Sequence, residues 1–469
     1  MTSPYPLAAI AAAARPHHSA ISGASFAERL AYTCRHSRFV DQLIKARPEL
    51  TAWLEQHDGR AVSASTMHQY LAEGFSSEAA FDEGCLQSAL RRLRQRVMAH
   101  LALRDLADGA SLAEIVETMT NLADVTTLFA LDRLHDDLAI RYGQPQSANG
   151  TPLHLAIVGM GKLGGRELNV SSDVDYIFVY PEDGETSGRP DGGGRIDNYD
   201  FFTRLGKRLI ASLNDTTAEG QVFRVDMRLR PNGDSGPLVS SSDMLENYFI
   251  AQGREWERYA WIKARVMNDN DAACMPAFTS DTARPFVFRK YLDFGAINAM
   301  RALHAQIRQE VTRKDRSEHI KLGPGGIREI EFIAQVFQLI RGGRDRTLQI
   351  RPTLLVLNRL GTIGQLAAAD VEALTEAYVF LRRLEHRLQF LDDAQTHMLP
   401  ESPSDRALLA ESMGYTDWDA LYGVLNNHRT TVSQHFQAVF SDPTDNDDAV
   451  PIQGVWLNND NTEESQELL

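Results

Sequence analysis

The sequence predicts an α+β protein that is mostly helical, with a small mixed sheet carrying the functional residues. The apolar runs Leu153–Val158 and Tyr176–Tyr180 are typical of buried strands, and a glycine-rich turn and an Asp-x-Asp pair lie between them. Apolar residues recur at steps of three and four on both sides of this block, which indicates flanking helices. At 469 residues, the chain is long enough for two or three domains.

Changes in residue pattern predict four regions. An N-terminal helical region covers residues 1–140, a core of strands and helices covers 141–275, a C-terminal helical bundle covers 276–440, and an acidic, disordered linker or tail covers 441–469. The helix stripe of the first region consists of Leu86, Leu90, Leu93, Val97 and Leu101. An amphipathic helix of the core is marked by Phe202, Leu205, Leu209 and Leu213. A long helix of the third region is marked by Val371, Leu374, Tyr378, Leu381, Leu384, Leu388 and Leu391.

Composition restricts the class of protein. The formal net charge is −15, and eight of the acidic residues lie after residue 440, where no Lys or Arg occurs. The rest of the chain is only mildly acidic, which argues against non-specific nucleic-acid binding. Cys34, Cys85 and Cys274 form no metal or redox spacing, and no apolar run reaches the length of a membrane span. A cytoplasmic protein with reduced thiols is predicted.

The paired aspartates Asp173 and Asp175 predict a cation site. Side chains two positions apart on a strand point the same way, and two parallel carboxylates repel each other unless a cation lies between them. Mg²⁺ suits such a site because it binds oxygen ligands and shares them with substrate phosphates. The preceding turn predicts phosphate or nucleotide contacts, since glycines let backbone N–H groups approach closely. The candidate residues for these contacts are Gly161, Lys162, Gly164, Gly165 and Ser172.

A second strand is predicted from Phe223 to Arg230, where apolar and charged residues alternate. On its charged face, Asp226 is a candidate third metal ligand, and Arg228 and Arg230 are candidate phosphate clamps. A segment of this kind alone is more often a solvated, salt-bridged strand. Its occurrence beside an Asp-x-Asp strand favours the functional interpretation.

A third segment, Lys321–Phe332, predicts a sharp glycine-proline turn that leads into a helix starting near Ile327. Free N–H groups at a helix start bind anions, and Lys321 and Arg328 would add positive charge there. An ordinary turn between helices is an equally good interpretation. Lys263 and Arg265 are further candidates for the cleft.

Several motifs in the same order resemble the glutamine synthetase adenylyltransferase/adenylyl-removing enzymes, a family of polymerase-β-like nucleotidyltransferases. Lys162 stands where many members of that superfamily carry Ser. The matching stretches, between about residues 150 and 440, are GMGKLGGRELNVSSDVD, FFTRLGKRLI, VFRVDMRLRPNGDSGPLV, QGREWERYAWIKARVM and KLGPGGIREIEF. The resemblance implies a polymerase-β-like nucleotidyltransferase core, flanked by N-terminal helices and a C-terminal helical bundle.

The last two stretches look like the N-terminal half of this family's two-part enzymes, the half that removes AMP. The Met1 start and the acidic tail fit such a half. The resemblance implies Mg²⁺-dependent phosphorolysis, in which phosphate attacks the AMP phosphorus of adenylyl-tyrosine on glutamine synthetase and gives ADP and tyrosine. Asp173, Asp175 and Asp226 would be catalytic and would hold two Mg²⁺ ions, roughly 3.5–4 Å apart.

The implied partners are adenylylated glutamine synthetase and the nitrogen-regulatory PII protein, with phosphate, ADP and ATP as small molecules. Neither a nucleic acid nor a membrane is expected among the partners, because stacking aromatics, a basic stripe and a membrane span are missing from the sequence. Two alternatives stay open. One is ATP-dependent adenylylation of the same tyrosine, and the other is a non-catalytic sensor half that binds PII protein and glutamine synthetase.

Overall fold

The computed structural model describes residues 21, 23–75, 81–269, 278–289 and 318–440. Cys274 and the acidic tail lie outside these ranges. The chain divides into two compact units. The first contains Met1–Gln42, Ala102–Ile115 and Val287–Leu469, and the second contains Leu43–Leu101 and Val116–Phe286. The secondary structure is α+β and mostly helical, as predicted.

Helices dominate both units. In chain order they are α1 (Phe26–His36), α2 (Arg38–Ala46), α3 (Glu49–Gln56), α4 (Ala64–Glu73), α5 (Glu83–Ala102), α6 (Leu112–Tyr142), α7 (Gly161–Gly164), α8 (Asn198–Asn214), α9 (Ser242–Ala251), α10 (Glu255–Trp261), α11 (Arg284–Val287), α12 (Ile327–Arg341), α13 (Thr353–Thr362), α14 (Ala368–Asp392), α15 (Pro403–Ser412) and α16 (Trp418–Phe440). Among the described residues, no helix combines the length and apolar character that a membrane crossing needs.

The predicted helix stripes are confirmed. All stripe residues on α5 and α8 are buried, and on α14 all of them except Val371 are buried. In the first unit, α14 packs against α12, α13, α15 and α16, which form a helical bundle with it. Burial of one apolar stripe against neighbouring helices supplies the main stabilisation of such a bundle. The helix predicted to start near Ile327 is α12, which begins at that residue.

The sheet lies in the second unit. Its strands are β1 (Ala156–Gly159), β2 (Val174–Tyr180), β3 (Val225–Asp226), β4 (Val239–Ser241) and β5 (Arg265–Val266). The order is β3–β2–β1–β5, with β4 also paired to β2. β1 is antiparallel to β2 and β5, whereas β3 and β4 are parallel to β2, so the sheet is mixed as predicted. Every residue of β1 and β2 is buried except Asp175. A strand covered on both faces is apolar nearly throughout, and Asp175 is therefore an exception with a cost in solvation.

The strand predicted from Phe223 to Arg230 is wrong in extent, since β3 contains only two residues of that segment. After Asp226 the chain turns. The Arg230 N–H donates to the carbonyl of Met227 at 3.2 Å, and Asn232 has a left-handed φ of +61°. The backbone is therefore hydrogen-bonded within a local turn instead of continuing the ladder. Arg228 and Arg230 consequently do not share a strand face with Asp226.

Arg91 on α5 ties the C-terminal end of α8 to the loop that leads to β3. Its side chain is fully buried and donates hydrogen bonds to the carbonyls of Ser212 at 3.1 Å and Gly220 at 2.8 Å, and to that of Asp215. A cation among the last carbonyls of a helix is also favourable to the helix dipole. These hydrogen bonds fix the position of the chain shortly before the segment that contains Asp226.

Replacing Arg91 by methionine is expected to lower the free energy of unfolding by about 2–4 kcal/mol, because three carbonyls, among them that of the buried Ser212, lose the hydrogen bonds of a fully buried guanidinium group. Arg92→Met is the matched control. Arg92 is adjacent on the same helix, but it is half-exposed and pairs with Glu219 at 2.8 Å, so its loss should cost less than about 1 kcal/mol. Urea unfolding of both variants measures the difference. Equal costs for the two substitutions would contradict the anchoring role of Arg91.

Candidate active site

The glycine-rich turn follows β1 and forms α7, a single helical turn. Gly161 has a left-handed φ of +50°, and a Cβ at this position would lie 3.3 Å from Oδ2 of Asp175. A Cβ on Gly164 would lie 2.0 Å from the carbonyl oxygen of Lys263 and 2.4 Å from that of Gly159. Backbone atoms of Lys263 and Gly159 therefore pack tightly against the turn at Gly164, and Gly161 lies next to the carboxylate of Asp175.

Asp175 and Asp226 are register partners in the parallel pair β2–β3. Neighbouring strands are about 4.8 Å apart, and paired residues point their side chains to the same face. The backbone fixes Asp175 further, since the Met160 N–H donates to its carbonyl at 3.0 Å. The structure thus brings together the turn, the Asp-x-Asp segment and the third predicted carboxylate.

Asp173 lies just before β2 and is engaged by Arg224. The Arg224 Nε donates to Asp173 Oδ1 at 2.6 Å, and its terminal nitrogen donates to the carbonyl of Ser171, also at 2.6 Å. Both side chains are about one-third exposed. The alternation of the predicted strand places Arg224 on its charged face with Asp226, although Arg224 was not among the predicted phosphate ligands. Its two-residue spacing from Asp226 is the signal that associates it with the site.

Asp226 is held by Arg228. The Arg228 guanidinium donates to Asp226 Oδ2 at 2.7 and 3.0 Å, and the Arg228 backbone N–H donates to Oδ1 at 2.8 Å. Burial alone would raise the pKa of Asp226, but these hydrogen bonds and the charges of Arg228 and Arg230 outweigh it and lower the pKa. The hydrogen bond to Asp226, together with the charges of Asp226 and Asp175, raises the pKa of Arg228. Asp226 is therefore an anion at neutral pH.

The chemistry of this donor set fits a hard divalent cation, because carboxylate oxygens are the ligands that Mg²⁺ prefers. Within the ranges that the structure describes, however, no three acidic, histidine or cysteine side chains converge closely enough to hold a metal ion. Asp173 and Asp226 are instead each engaged by a guanidinium group. Metal ligation by Asp173, Asp175 and Asp226 stays a prediction, and it requires these ion pairs to open.

A buried polar network supports the turn from its inner side. Lys263 Nζ donates to Glu167 Oε2 at 2.8 Å, and both side chains are almost fully buried. Arg166, with a left-handed φ of +57°, and Arg265 both contact the Asp124 carboxylate, at 3.2 and 2.8 Å. Lys263 and Arg265 are therefore packed into ion pairs behind the turn, and sequence reasoning missed Glu167 and Asp124.

The other predicted phosphate or nucleotide ligands are distributed over both units. Lys162 is half-buried on α7, and Ser172 is half-buried in the segment before β2. Arg230 donates within its own turn, to the carbonyl of Met227 at 2.9 Å.

Lys321 and Arg328 belong to the first unit. The Lys321 N–H donates to His319 Nδ1 at 3.2 Å, and the Arg328 N–H donates to the Lys321 carbonyl at 3.1 Å. These bonds order the turn before α12. Phosphate binding by Lys321 and Arg328, and by the residues of the second unit named above, stays a prediction.

Replacing Gly164 by alanine is expected to displace the turn, because the new methyl group would overlap the backbone oxygens of Lys263 and Gly159. We expect a loss of stability of about 1–3 kcal/mol and a larger loss of activity. Gly423→Ala on α16 is the control, since nothing lies within 4 Å of its Cβ position. The control should be neutral or slightly stabilising. Thermal unfolding measures both, and an unchanged melting temperature of Gly164→Ala would contradict the tight packing.

The arrangement can bind anionic phosphates and bring them to a polar centre. The glycine turn, Asp175 and Asp226 lie together where β2 begins, and two guanidinium groups engage Asp173 and Asp226 there. Such a set of carboxylates and cationic groups suits transfer of a phosphorus group between two bound oxygens.

Comparison with known proteins gives consistent matches. A family model described as Glutamate-ammonia ligase adenylyltransferase matches residues 27–280, and one described as GlnD PII-uridylyltransferase matches residues 301–440. Curated relatives named bifunctional glutamine synthetase adenylyltransferase/adenylyl-removing enzyme are similar to nearly the whole chain. The relative from Aromatoleum aromaticum is 55% identical over 443 residues, which cover 94% of this chain and 46% of the relative.

Two further relatives carry the same name. The one from Chromobacterium violaceum is 52% identical over 431 residues, covering 91% of this chain and 46% of the relative. The one from Nitrosomonas europaea is 57% identical over 363 residues, covering 77% of this chain and 38% of the relative. The chain spans about half the length of the curated relatives it matches.

Proposed function

The chain belongs to the glutamate-ammonia ligase adenylyltransferase family of nucleotidyltransferases, and from this membership we propose that it removes AMP from the adenylylated tyrosine of glutamine synthetase by phosphorolysis. The name of its relatives combines adenylyl transfer and adenylyl removal. The stretches QGREWERYAWIKARVM and KLGPGGIREIEF resemble the adenylyl-removing half, which supports removal as the direction. The proposal concerns this chain, which spans about half of those relatives.

The proposed reaction exchanges one phosphorus–oxygen bond for another. An oxygen of inorganic phosphate attacks the AMP phosphorus, the bond to the tyrosine oxygen breaks, and that oxygen keeps the electron pair and takes up a proton. The products are ADP and free tyrosine. Tyrosine is a tolerable leaving group, since its phenol has an ordinary pKa of about 10. The reaction therefore needs charge neutralisation and positioning, and no covalent intermediate with the protein.

The observation that carries the proposal is the parallel register that pairs Asp175 with Asp226 beside the glycine turn. We propose that Asp173, Asp175 and Asp226 hold two Mg²⁺ ions. Bound Mg²⁺ would neutralise the negative charge that phosphate and the AMP ester bring together. The N–H groups at Gly161 and Lys162 and the Ser172 side chain would position the phosphates. The N–H groups of Gly164 and Gly165 donate within the turn, to the carbonyls of Met160 at 2.9 Å and Gly161 at 3.0 Å, and would hold its shape. Arg228 and Arg230 would bind the attacking phosphate.

The partners proposed for this reaction are adenylylated glutamine synthetase and a PII protein. The name of the relatives supports the first, and the match of residues 301–440 to a PII-uridylyltransferase model supports a link to PII regulation. ADP and phosphate would be product and substrate. We place the reaction in the cytoplasm, together with these partners.

Incubation of the full chain with AMP-modified glutamine synthetase, Mg²⁺ and phosphate tests the proposal. The expected result is ADP in amounts equal to the AMP lost from the protein. AMP as the product would indicate hydrolysis. Modification of unadenylylated glutamine synthetase with ATP, in the absence of ADP formation, would favour the adenylylating direction. Tight binding of both proteins without turnover in either direction would favour a sensor role.

A further inference from the structure

Two arginines occupy the carboxylates of the candidate metal site. Arg224 contacts Asp173 at 2.6 Å, and Arg228 contacts Asp226 through two nitrogens at 2.7 and 3.0 Å. Each arginine lies two positions from Asp226 along the chain, one on either side of it. The two guanidinium groups therefore neutralise two of the three carboxylates.

The exposure of the two arginines differs from that of the structural ion pair behind the turn. The side chains of Arg224 and Arg228 are 33% and 42% exposed, whereas that of Lys263 is 6% exposed. Long arginine side chains at such exposure can adopt other rotamers without opening the core. Asp173 is also 32% exposed, so its oxygens can be approached from solvent.

A guanidinium group and a divalent cation cannot engage the same carboxylate oxygens without strong repulsion between the two positive charges. An arginine that leaves its carboxylate keeps a planar fork of donors, which matches the oxygens of a phosphate group. Each arginine balances the charge of its own carboxylate as long as no divalent cation holds that carboxylate.

We propose that Arg224 and Arg228 are exchange groups, which hold Asp173 and Asp226 in the metal-free protein and turn to the phosphate groups of the nucleotide when a divalent cation takes the carboxylates. This inference rests on the proposed function, because it presumes that the aspartates bind metal. The exchange predicts that metal binds before nucleotide. Metal binding releases the two arginines from their carboxylates, so phosphate groups bind well only to the metal-loaded site.

The test measures Mn²⁺ binding by electron paramagnetic resonance on the full chain without nucleotide. Arg224→Met and Arg228→Met are expected to tighten Mn²⁺ binding by about three- to tenfold, because a competing cation is removed. Each variant should also weaken ADP binding in the presence of Mn²⁺ by about tenfold. Arg195→Met is the matched control, since this exposed arginine of the same unit pairs with Glu185 at 3.6 Å. It should change neither affinity.

The outcomes separate this inference from the proposed function. Mn²⁺ affinity that is unchanged or weaker in both arginine variants, while Asp175→Asn loses Mn²⁺ binding, would overturn the exchange and leave the metal site standing. Absence of Mn²⁺ binding to the unsubstituted chain would overturn both. Arg224→Lys and Arg228→Lys serve if a methionine variant does not fold. They keep the charge without the fork, so Mn²⁺ binding should stay near that of the unsubstituted chain while ADP binding weakens, and unchanged ADP binding would overturn the exchange.

Discussion

Replacing Asp175 by asparagine is expected to lower the rate of AMP removal by at least about 10³-fold, or ~4 kcal/mol of transition-state stabilisation. Asparagine keeps the size of the side chain but removes the negative charge that a cation site needs. Asp175 is the one residue of the central strand that is not buried, it is paired with Asp226, and it borders Gly161. The fold should remain intact, because loss of the charge also removes repulsion from the neighbouring carboxylates. The initial rate of ADP formation and the melting temperature measure the two effects.

Glu185→Gln is the matched control for Asp175→Asn. Glu185 lies in the same unit, and its exposed carboxylate pairs with Arg195 at 3.6 Å. Its neutralisation should change activity by less than about twofold, since exposed ion pairs contribute little. The double variant Asp173→Asn/Asp175→Asn gives the strongest contradiction: if it still removed AMP with a dependence on Mg²⁺, the carboxylates would not be the metal ligands.

The central part of the candidate site could be predicted from the sequence because its signals are local. Two aspartates two residues apart, next to an apolar run, indicate a strand with both carboxylates on one side; the observed strand β2 includes Asp175 but begins at Val174, so the prediction is wrong for Asp173. A cluster of glycines likewise indicates a tight turn wherever it occurs. The structure adds that the Asp226 strand pairs directly with the Asp175 strand, in parallel and in register. Asp175 and Asp226 are about fifty residues apart in the sequence. Their pairing depends on α8 and on the loop that Arg91 contacts, because these elements bring the chain back to β2, and no local sequence pattern predicts that path.

The length of β3 shows why alternation alone overestimates a strand. Apolar and charged residues alternate as far as Arg230, yet pairing ends at Asp226 because turn hydrogen bonds replace the ladder. Pro231 and Asn232, which are typical turn residues, follow that segment, and they come after the turn has begun. The turn allows the Arg228 side chain to contact Asp226.

Buried charged residues are the part of the site that periodicity cannot predict. Patterns of apolar residues identify a core, but the sequence does not distinguish a buried lysine or glutamate from an exposed one. Lys263 and Glu167 are separated by about a hundred residues, and in the interior each offsets the charge of the other. Lys263 was predicted to line the cleft. It does lie next to the glycine turn, but its side chain is buried.

Replacing Lys263 by methionine is expected to lower the free energy of unfolding by about 3–5 kcal/mol, because Glu167 then keeps a buried charge without the ammonium group 2.8 Å away. The Lys263 backbone and side chain also line Gly164 and Gly165, at 2.0 and 3.2 Å from their Cβ positions. We therefore expect the turn to loosen, with faster amide hydrogen exchange at Gly161–Gly164 and a loss of activity beyond that caused by unfolding. Urea unfolding and hydrogen exchange measure these effects.

The double variant Lys263→Met/Glu167→Gln separates the charge from the packing. Removing both charges eliminates the unpaired buried carboxylate, so most of the lost stability should return, although the hydrogen bond of the original pair does not. Lys207→Met is a control for the loss of one lysine charge, since no ion pair of Lys207 is among the described contacts and it lies on the outer side of α8. If Lys263→Met and Lys207→Met were equally stable, the buried pair would not support the turn. If only the double variant regained hydrogen-exchange protection at the turn, the stability of the glycine turn would depend on the charge balance of the Lys263–Glu167 pair.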